Sequence, residues 1–307
     1  MIKPHEYQKN GIDEIIEKFE TNDRLVYQLD TGGGKCLGKG TPVLMFDGTI
    51  KKVEDVVVGD FLMGDDSEKR IVKTLSRGKE MMYKITPKKG DCFVVNESHI
   101  LSLKFTGIKK GYNYKGQKYF KGDVIDIPIK EYINTSNQFK HVTKQYRVGV
   151  DFSHKNLTID PYYLGIWLGD GTSSTASITT MDCVIIEYLK KICIDYGCDY
   201  KIEEQKDNKS IIFHITSNYK RTGLRTMLRE LNVLNNKHIP LIYKTSSRSQ
   251  RMQLLAGILD SDGYLNKGTG YDVIFKSSVL ANDLAYLCRS LGFSAYVSKA
   301  KKGCWYN

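Results

Sequence analysis

Gln28-Leu29-Asp30-Thr31-Gly32-Gly33-Gly34-Lys35-Cys36-Leu37-Gly38-Lys39-Gly40-Thr41-Pro42 changes character between Lys35 and Cys36, and that change divides the chain. To its left, Ile12, Ile15, Ile16 and Phe19 recur at helical spacing and Leu25 to Leu29 alternates as a short strand. A strand running into Thr-Gly-Gly-Gly-Lys is the opening of a phosphate-binding loop. Glycine N–H groups at Gly32 and Gly34 would cradle the phosphate and Lys35 would neutralise it. Such a loop continues with Ser or Thr and then a helix. Here Cys36 follows, and Gly38, Gly40 and Pro42 crowd the turns where that helix would start. The loop is cut after Lys35.

To the right, short alternating runs such as Pro42 to Met45 and Val56 to Met63 are separated by the turn pairs Asp47-Gly48, Gly59-Asp60 and Gly64-Asp65. This is the pattern of a compact all-β domain. Residues 1–35 resemble the start of a DEAD/DEAH-type superfamily 2 helicase or related ATPase, through Lys3-Pro4-His5-Glu6-Tyr7-Gln8 and Thr31 to Lys35. The block from Cys36 resembles the N-terminal splicing block of inteins, which share a horseshoe Hint fold with hedgehog autoprocessing domains. Gly90 to Leu101 resembles a second intein block, whose usual T-x-x-H stands here as Asn96-Glu97-Ser98-His99.

These resemblances imply roles. Cys36 would attack the Lys35 carbonyl as a thiolate, and His99, with an ordinary pKa of about 6.5, would deliver the proton to the departing nitrogen. Asn96, in place of the threonine, would hydrogen-bond the strained amide. Splicing needs no cofactor. The Ser or Thr missing from the phosphate loop would be the host residue that accepts the thioester, and Gly32, Gly34 and Lys35 would bind ATP only in the uninterrupted host.

Further on, Tyr163-Leu164-Gly165-Ile166-Trp167-Leu168-Gly169-Asp170-Gly171 and Leu255-Ala256-Gly257-Ile258-Leu259-Asp260-Ser261-Asp262-Gly263 repeat one pattern, an apolar helix ending in an acid and a glycine. A second helix follows each (Asp182 to Tyr196; Ser278 to Leu291), then a glycine, with 26 residues from Gly171 to Gly197 and 29 from Gly263 to Gly292. A strand is expected at Ser294 to Ser298. That is an internal repeat.

The two motifs resemble those of LAGLIDADG homing endonucleases. The family implies close helix contact at Gly165 and Ala256-Gly257, with Asp170 and Asp262 meeting near a pseudo-twofold axis. There the two acids would hold magnesium for phosphodiester hydrolysis, one cut per strand. Lys237-His238-Ile239-Pro240 is similar to the K-x-I-P segment of intein endonucleases, which implies an active-site role for Lys237. Lys276, expected in a strand of the second repeat, is a weaker candidate for phosphate contact, and Asp260 reads as a helix-end or structural acid.

Composition agrees with such a partner. The 307 residues carry 46 Lys+Arg against 35 Asp+Glu, a net +11. Residues 1–35 are net −2, so the excess lies downstream, where it would attract polyanions such as DNA. Residues 106–150 hold nine Lys+Arg against three acids, interleaved with Tyr112, Tyr114, Tyr119, Tyr132 and Tyr146. They read either as a DNA track or as a solvated β-rich linker. No run approaches the roughly 18 to 20 apolar residues of a membrane span, and no apolar signal core opens the chain, so a cytoplasmic protein is expected. Seven unpatterned cysteines suggest neither a disulfide framework nor structural zinc.

The expected organisation is multidomain. A short α/β host piece (1–35) precedes an all-β Hint horseshoe with a basic linker (36–150). An α+β endonuclease follows (151–307), a monomer with two pseudo-symmetric αββαββ repeats, at about 160–247 and 250–307. The closing splicing block and the final strands are missing, so a C-terminally truncated fragment is expected. The target would be double-stranded DNA of the allele lacking the insert, with no membrane partner. The alternatives are an ATP-dependent helicase fragment and a non-cleaving DNA-binding module or maturase derived from the same family.

Overall fold

Every second side chain of Ile100–Phe105 is apolar, and those three, Leu101, Leu103 and Phe105, are buried. A strand with one dry face must find neighbours, and this one is the centre of the first unit. The computed structural model describes residues 37–205, 210–217, 223–268 and 270–300. The expected helix and strand of residues 12–29, the glycine loop at Gly32, Gly34 and Lys35, and Cys36 lie outside the described residues.

The described chain forms two units. The first comprises residues 37–45, 50–62 and 70–146, and the second residues 46–49, 63–69 and 147–300.

The first unit is built from short antiparallel pairs. Its strands are β1 (Pro42–Leu44), β2 (Ile50–Lys52), β3 (Phe61–Met63) and β4 (Lys69–Ile71), whose terminal residues Met63 and Lys69 are counted with the second unit, then β5 (Met82–Ile85), β6 (Phe93–Asn96), β7 (Ile100–Phe105), β8 (Tyr112–Tyr114), β9 (Gln117–Tyr119) and β10 (Val124–Pro128). Helices α1 (Ile129–Ile133) and α2 (Asn137–Val142) then lead to β11 (Thr143–Gln145). β7 lies between β10 and β11, and β1–β2, β3–β4, β5–β6 and β8–β9 pair as hairpins. No closed barrel forms among the described residues. The expected strand from Val56 to Met63 is confined to Phe61–Met63, because Val57 and Asp60 are used in a turn that Asp60 closes by accepting from the Val57 N–H at 3.0 Å.

The core gathers Val95, Leu101, Leu103, Phe105, Ile125, Ile127, Ile129 and Phe139. Tyr112, Tyr114, Tyr119 and Tyr132 pack on it, with Tyr119 stacked on Phe105 at 4.7 Å and Tyr114 against Phe139 at 4.6 Å. These four rings therefore form part of the wall of a core, worth more buried than exposed, while Tyr146 stays exposed. Burial, then the bond it donates to Glu131 at 2.7 Å, pushes the Tyr114 hydroxyl up to about 12.

The second unit centres on two helices, α3 (Pro161–Asp170) and α7 (Arg248–Asp262). Asp160 starts α3 by accepting from the Tyr162 and Tyr163 N–H groups, with Pro161 in the first turn. Ser247 starts α7 with a capping box closed by Gln250. After α3 come an isolated Gly171–Ile178 bridge, β12 (Ile178–Thr180), α4 (Cys183–Tyr196), β13 (Cys198–Glu204) and β14 (Ile211–Ser217), with sheet order β12-β14-β13. Short helices α5 (Leu224–Glu230) and α6 (Leu241–Lys244) connect to α7. β15 (Gly263–Asn266), β16 (Gly270–Val273) and α8 (Ser278–Ser290) follow.

Gly197 (φ 62°) and Gly292 (φ 91°) end α4 and close the turn after α8 in the left-handed region, where glycine carries no Cβ penalty. Ser294 to Ser298 is not a strand. β15 and β16 pair only with each other among the described residues, so the alternating pattern finds no ladder. Arg147 holds this segment instead, donating to Ser294 Oγ at 2.7 Å and Tyr296 Oη at 2.9 Å.

Candidate functional sites

In the first unit, β5 and β6 pair with Met82 opposite Asn96, and a tight turn follows in which the His99 N–H donates to the Asn96 carbonyl at 3.2 Å. The turn sets Asn96, fully buried, and His99, half-buried, on successive steps of the chain. The His99 carbonyl in turn accepts from Ile129 N–H at 3.0 Å, which ties the turn to the start of α1. Nδ1 of His99 lies out of contact with solvent.

The segment after Cys36 is laid against this strand. Leu37 bridges Val95, and Gly38 N–H donates to Val94 O at 2.7 Å. A Cβ on Gly38 would stand 2.7 Å from the Val94 Cβ, so only glycine permits this approach. The residue following Cys36 is thus fixed beside the residue preceding Asn96. The Asn96 Nδ2 donates to Glu80 Oε2 at 3.1 Å and to Ser98 Oγ at 2.8 Å. No pattern in the sequence marks Glu80; the β5–β6 register is the signal that places it near Asn96, whereas Ser98 lies within the Asn96 to His99 block itself.

In the second unit, α3 and α7 touch backbone to backbone. A Cβ on Gly165 would lie 2.4 Å from Leu254 O, and one on Gly257 2.2 Å from Tyr162 O. Trp167, Tyr163 and Ile166 are fully buried around the crossing. The contact runs to the helix ends, where a Cβ on Gly169 would meet Ser261 Oγ at 2.2 Å and the Asp262 Cβ at 3.4 Å. Asp170 and Asp262, the last residues of the two helices, are therefore neighbours.

Burial first, and then the negative charge of Asp262, push the Asp170 carboxyl up to about 6, against the opposing pull of Lys237. Burial also raises Asp262, again opposed by Lys237. Each acid sits at the negative end of its helix dipole, which opposes ionisation in the same sense. Lys237 comes from the loop before α6. Its Nζ donates to the carbonyls of Leu168 at 3.0 Å and Gly169 at 2.9 Å, and stands 5.2 Å from the Trp167 ring centre. It satisfies carbonyls that the end of α3 leaves open. Burial lowers its pKa, and the two acids resist that shift.

The structure thus brings together Asp170, Asp262 and Lys237 in one unit, and Asn96 and His99 in the other. Asp260 stands apart from the acid pair as a structural acid, accepting from Tyr162 Oη at 2.8 Å. Lys276 is exposed in a bend after β16 instead of in a strand, which removes the register expected to aim it. Trp167, the ring beneath Lys237, reads in the sequence only as a core residue.

Two desolvated carboxylates that resist ionising together are a suitable pair for a hard divalent cation, which takes oxygen donors and offsets their repulsion. Among the described residues no group of three His, Cys, Asp or Glu side chains clusters as a closed metal cage. A cation here would draw its remaining ligands from water or a phosphate, a habit of magnesium. No helix among the described residues is long and apolar enough to cross a membrane.

Comparison with known proteins adds three findings. Residues 36–151 match the family model described as Hom_end-associated Hint, which supports an intein. The chain is similar to a replicative DNA helicase DnaB of Mycobacterium intracellulare, 30% identical over 281 residues that cover 87% of this chain and 44% of that protein. An alignment of that length runs through both units. It is also similar to the catalytic subunit of a V-type proton ATPase of Candida tropicalis, 39% identical over 77 residues, 25% of this chain and 6% of that protein. The chain spans less than half the length of each of these relatives.

Proposed function

We infer that the Hint domain of this chain splices at Lys35–Cys36 and that the second unit is a LAGLIDADG endonuclease that cuts double-stranded DNA of the allele lacking the insert. The observation that carries the endonuclease reading is the meeting of Asp170 and Asp262 at the ends of two glycine-packed helices, with Lys237 bound to the same helix end. An ordinary helix pair has no need to hold two acids out of water. A helicase-type host fits the cut phosphate loop and the similarity to the mycobacterial helicase.

In the splicing step, the Cys36 thiolate attacks the Lys35 carbonyl carbon. A C–S bond forms, the C–N bond breaks, and the thiol proton ends on the new amino group by way of His99. Asn96 holds the scissile amide. In the endonuclease, Asp170 and Asp262 would hold magnesium, whose chemistry when bound is to activate water and stabilise the leaving oxygen. Lys237 would place positive charge beside the phosphodiester, and the packed helices would keep the acids from drifting apart. Because the Asp170 carboxyl titrates near 6, cation affinity rises with pH through that region.

The test is cleavage of a plasmid library that carries the codons of residues 25–35 followed by randomised sequence. The wild-type chain with magnesium should linearise a subset of the library, and Asp170→Asn and Asp262→Asn should not. Binding without linearisation by the wild-type chain would remove the endonuclease half of the proposal.

A further inference from the structure

Lys237 is strung between two backbone anchors. Two residues before it, the Asn235 N–H donates at 2.8 Å to the carbonyl of Ser173, in the segment that follows Asp170. Two residues after it, the Ile239 N–H donates at 2.9 Å to Oδ2 of Asp283, on α8 in the repeat that carries Asp262. One anchor therefore comes from each repeat, as the two acids do.

The chain between the anchors has little of its own to fix it. Residues 231–240 form neither helix nor strand, and Asn232 and Asn235 turn through the left-handed region, with φ 56° and 55°. Ile239 is fully buried, so its N–H needs an acceptor inside the protein, and Pro240 beside it has no N–H with which to continue a ladder. Asp283 supplies that acceptor. Its other oxygen, Oδ1, takes Lys244 Nζ at 2.6 Å, and the ammonium stands 5.7 Å from the Tyr286 ring centre. An ion pair as enclosed as this one, with side chains 20% and 13% exposed, is often no better for stability than two apolar side chains of similar volume. An apolar pair would leave Ile239 unheld.

We propose that Asp283 is a positioning residue for the nuclease: by anchoring the Ile239 N–H it keeps Lys237 at the end of α3, where Nζ meets the carbonyls of Leu168 and Gly169 beside the acid pair. Asp283 acts through the loop alone. This inference rests on the endonuclease reading of Asp170 and Asp262.

The experiment compares two full-length double variants that both remove the ion pair. In Asp283→Asn/Lys244→Met the asparagine oxygen still accepts from Ile239, whereas Asp283→Leu/Lys244→Met has a side chain of similar size and no acceptor. Lys237 is read through Trp167, whose ring centre lies 5.2 Å from Nζ. Trp305→Phe in every chain leaves Trp167 as the one tryptophan. Lys237→Leu should shift the Trp167 emission maximum, the leucine double should reproduce that shift, and the asparagine double should keep the wild-type spectrum. On a library plasmid that the wild-type chain linearises with magnesium, the leucine double should cut about tenfold or more slowly at saturating DNA, and the asparagine double within about twofold of wild type. With Lys237→Leu added, the two doubles should cut at one rate. Asp283→Ala/Lys244→Met makes the same comparison with a smaller side chain should the leucine double fail to fold.

A merely structural Asp283 would give the two doubles the same emission, or would slow the leucine double by the same factor with Lys237 gone. Either result overturns the proposal, as would a leucine double that cuts at the wild-type rate or a Lys237→Leu spectrum that does not move. A wild-type chain that linearises no plasmid overturns the endonuclease reading, while the spectra still decide whether Asp283 places Lys237.

Discussion

Replacing Asp170 by asparagine should stabilise the metal-free protein at pH 8 and cancel its response to magnesium. The carboxyl is raised from 3.8 to about 6, first by burial and then by Asp262. An acid raised in the folded state holds its proton more tightly there than when unfolded. Its favourable contribution is complete below about pH 4 and is lost as pH rises through about 6. At pH 8 the ionised form therefore destabilises the fold. The full displacement corresponds to at most about 3 kcal/mol, at about 1.4 kcal/mol for each tenfold change in proton affinity. Solvent still reaches this half-buried group, which brings the expected cost down to about 1–2 kcal/mol.

The assay is urea unfolding of the wild type and Asp170→Asn at pH 5 and pH 8, with and without magnesium. The variant should be the more stable at pH 8 by about 1–2 kcal/mol and by about half as much at pH 5, which lies midway through the loss between about pH 4 and 6. Magnesium should raise the wild-type midpoint at pH 8 and leave the variant unmoved, since a ligand stabilises only what binds it. An equal gap at both pH values, or equal stabilisation of both proteins by magnesium, would refute the reasoning about this pair.

Gly257→Ala should destabilise the second unit. The new Cβ would fall 2.2 Å from Tyr162 O, a rigid backbone atom, so the clash outweighs the roughly 1 kcal/mol of helix propensity that alanine gains, for a net loss of about 2 kcal/mol or more on denaturation. Arg251→Met should cost about 3 kcal/mol in the same measurement. The fully buried guanidinium donates to the carbonyls of Ser246, Ser290 and Val150, and removing it leaves those acceptors dry.

The acid pair was legible because its signal is local and doubled: an apolar helix, a small residue where the helices cross, and an acid-glycine end, twice. Packing then had little freedom to put Asp170 and Asp262 anywhere else. Lys237 was legible through the segment around it, but the carbonyls it caps were not, since nothing in a sequence shows which helix end a loop will visit. The packing of Tyr112, Tyr114, Tyr119 and Tyr132 was not legible, because an alternation of basic and aromatic residues is common to a nucleic-acid track and to a small β-core with a charged outer face, and Phe105 and Phe139, on which these rings pack, are far apart in the chain. Ser294 to Ser298 has the alternation of a strand, and strand formation depends on a partner the pattern cannot supply. Glu80 was invisible for the opposite reason, as one acid in a charged loop whose meaning appears only once β5 and β6 are in register.

The most direct test of the account is the intact mass of the purified 307-residue chain after incubation with a small thiol. The account predicts a break between Lys35 and Cys36, giving residues 1–35 as a thioester or its hydrolysed acid and residues 36–307 as a second species, with neither formed by Cys36→Ala. A chain that stays whole, or one that breaks elsewhere with Cys36→Ala unaffected, would contradict it.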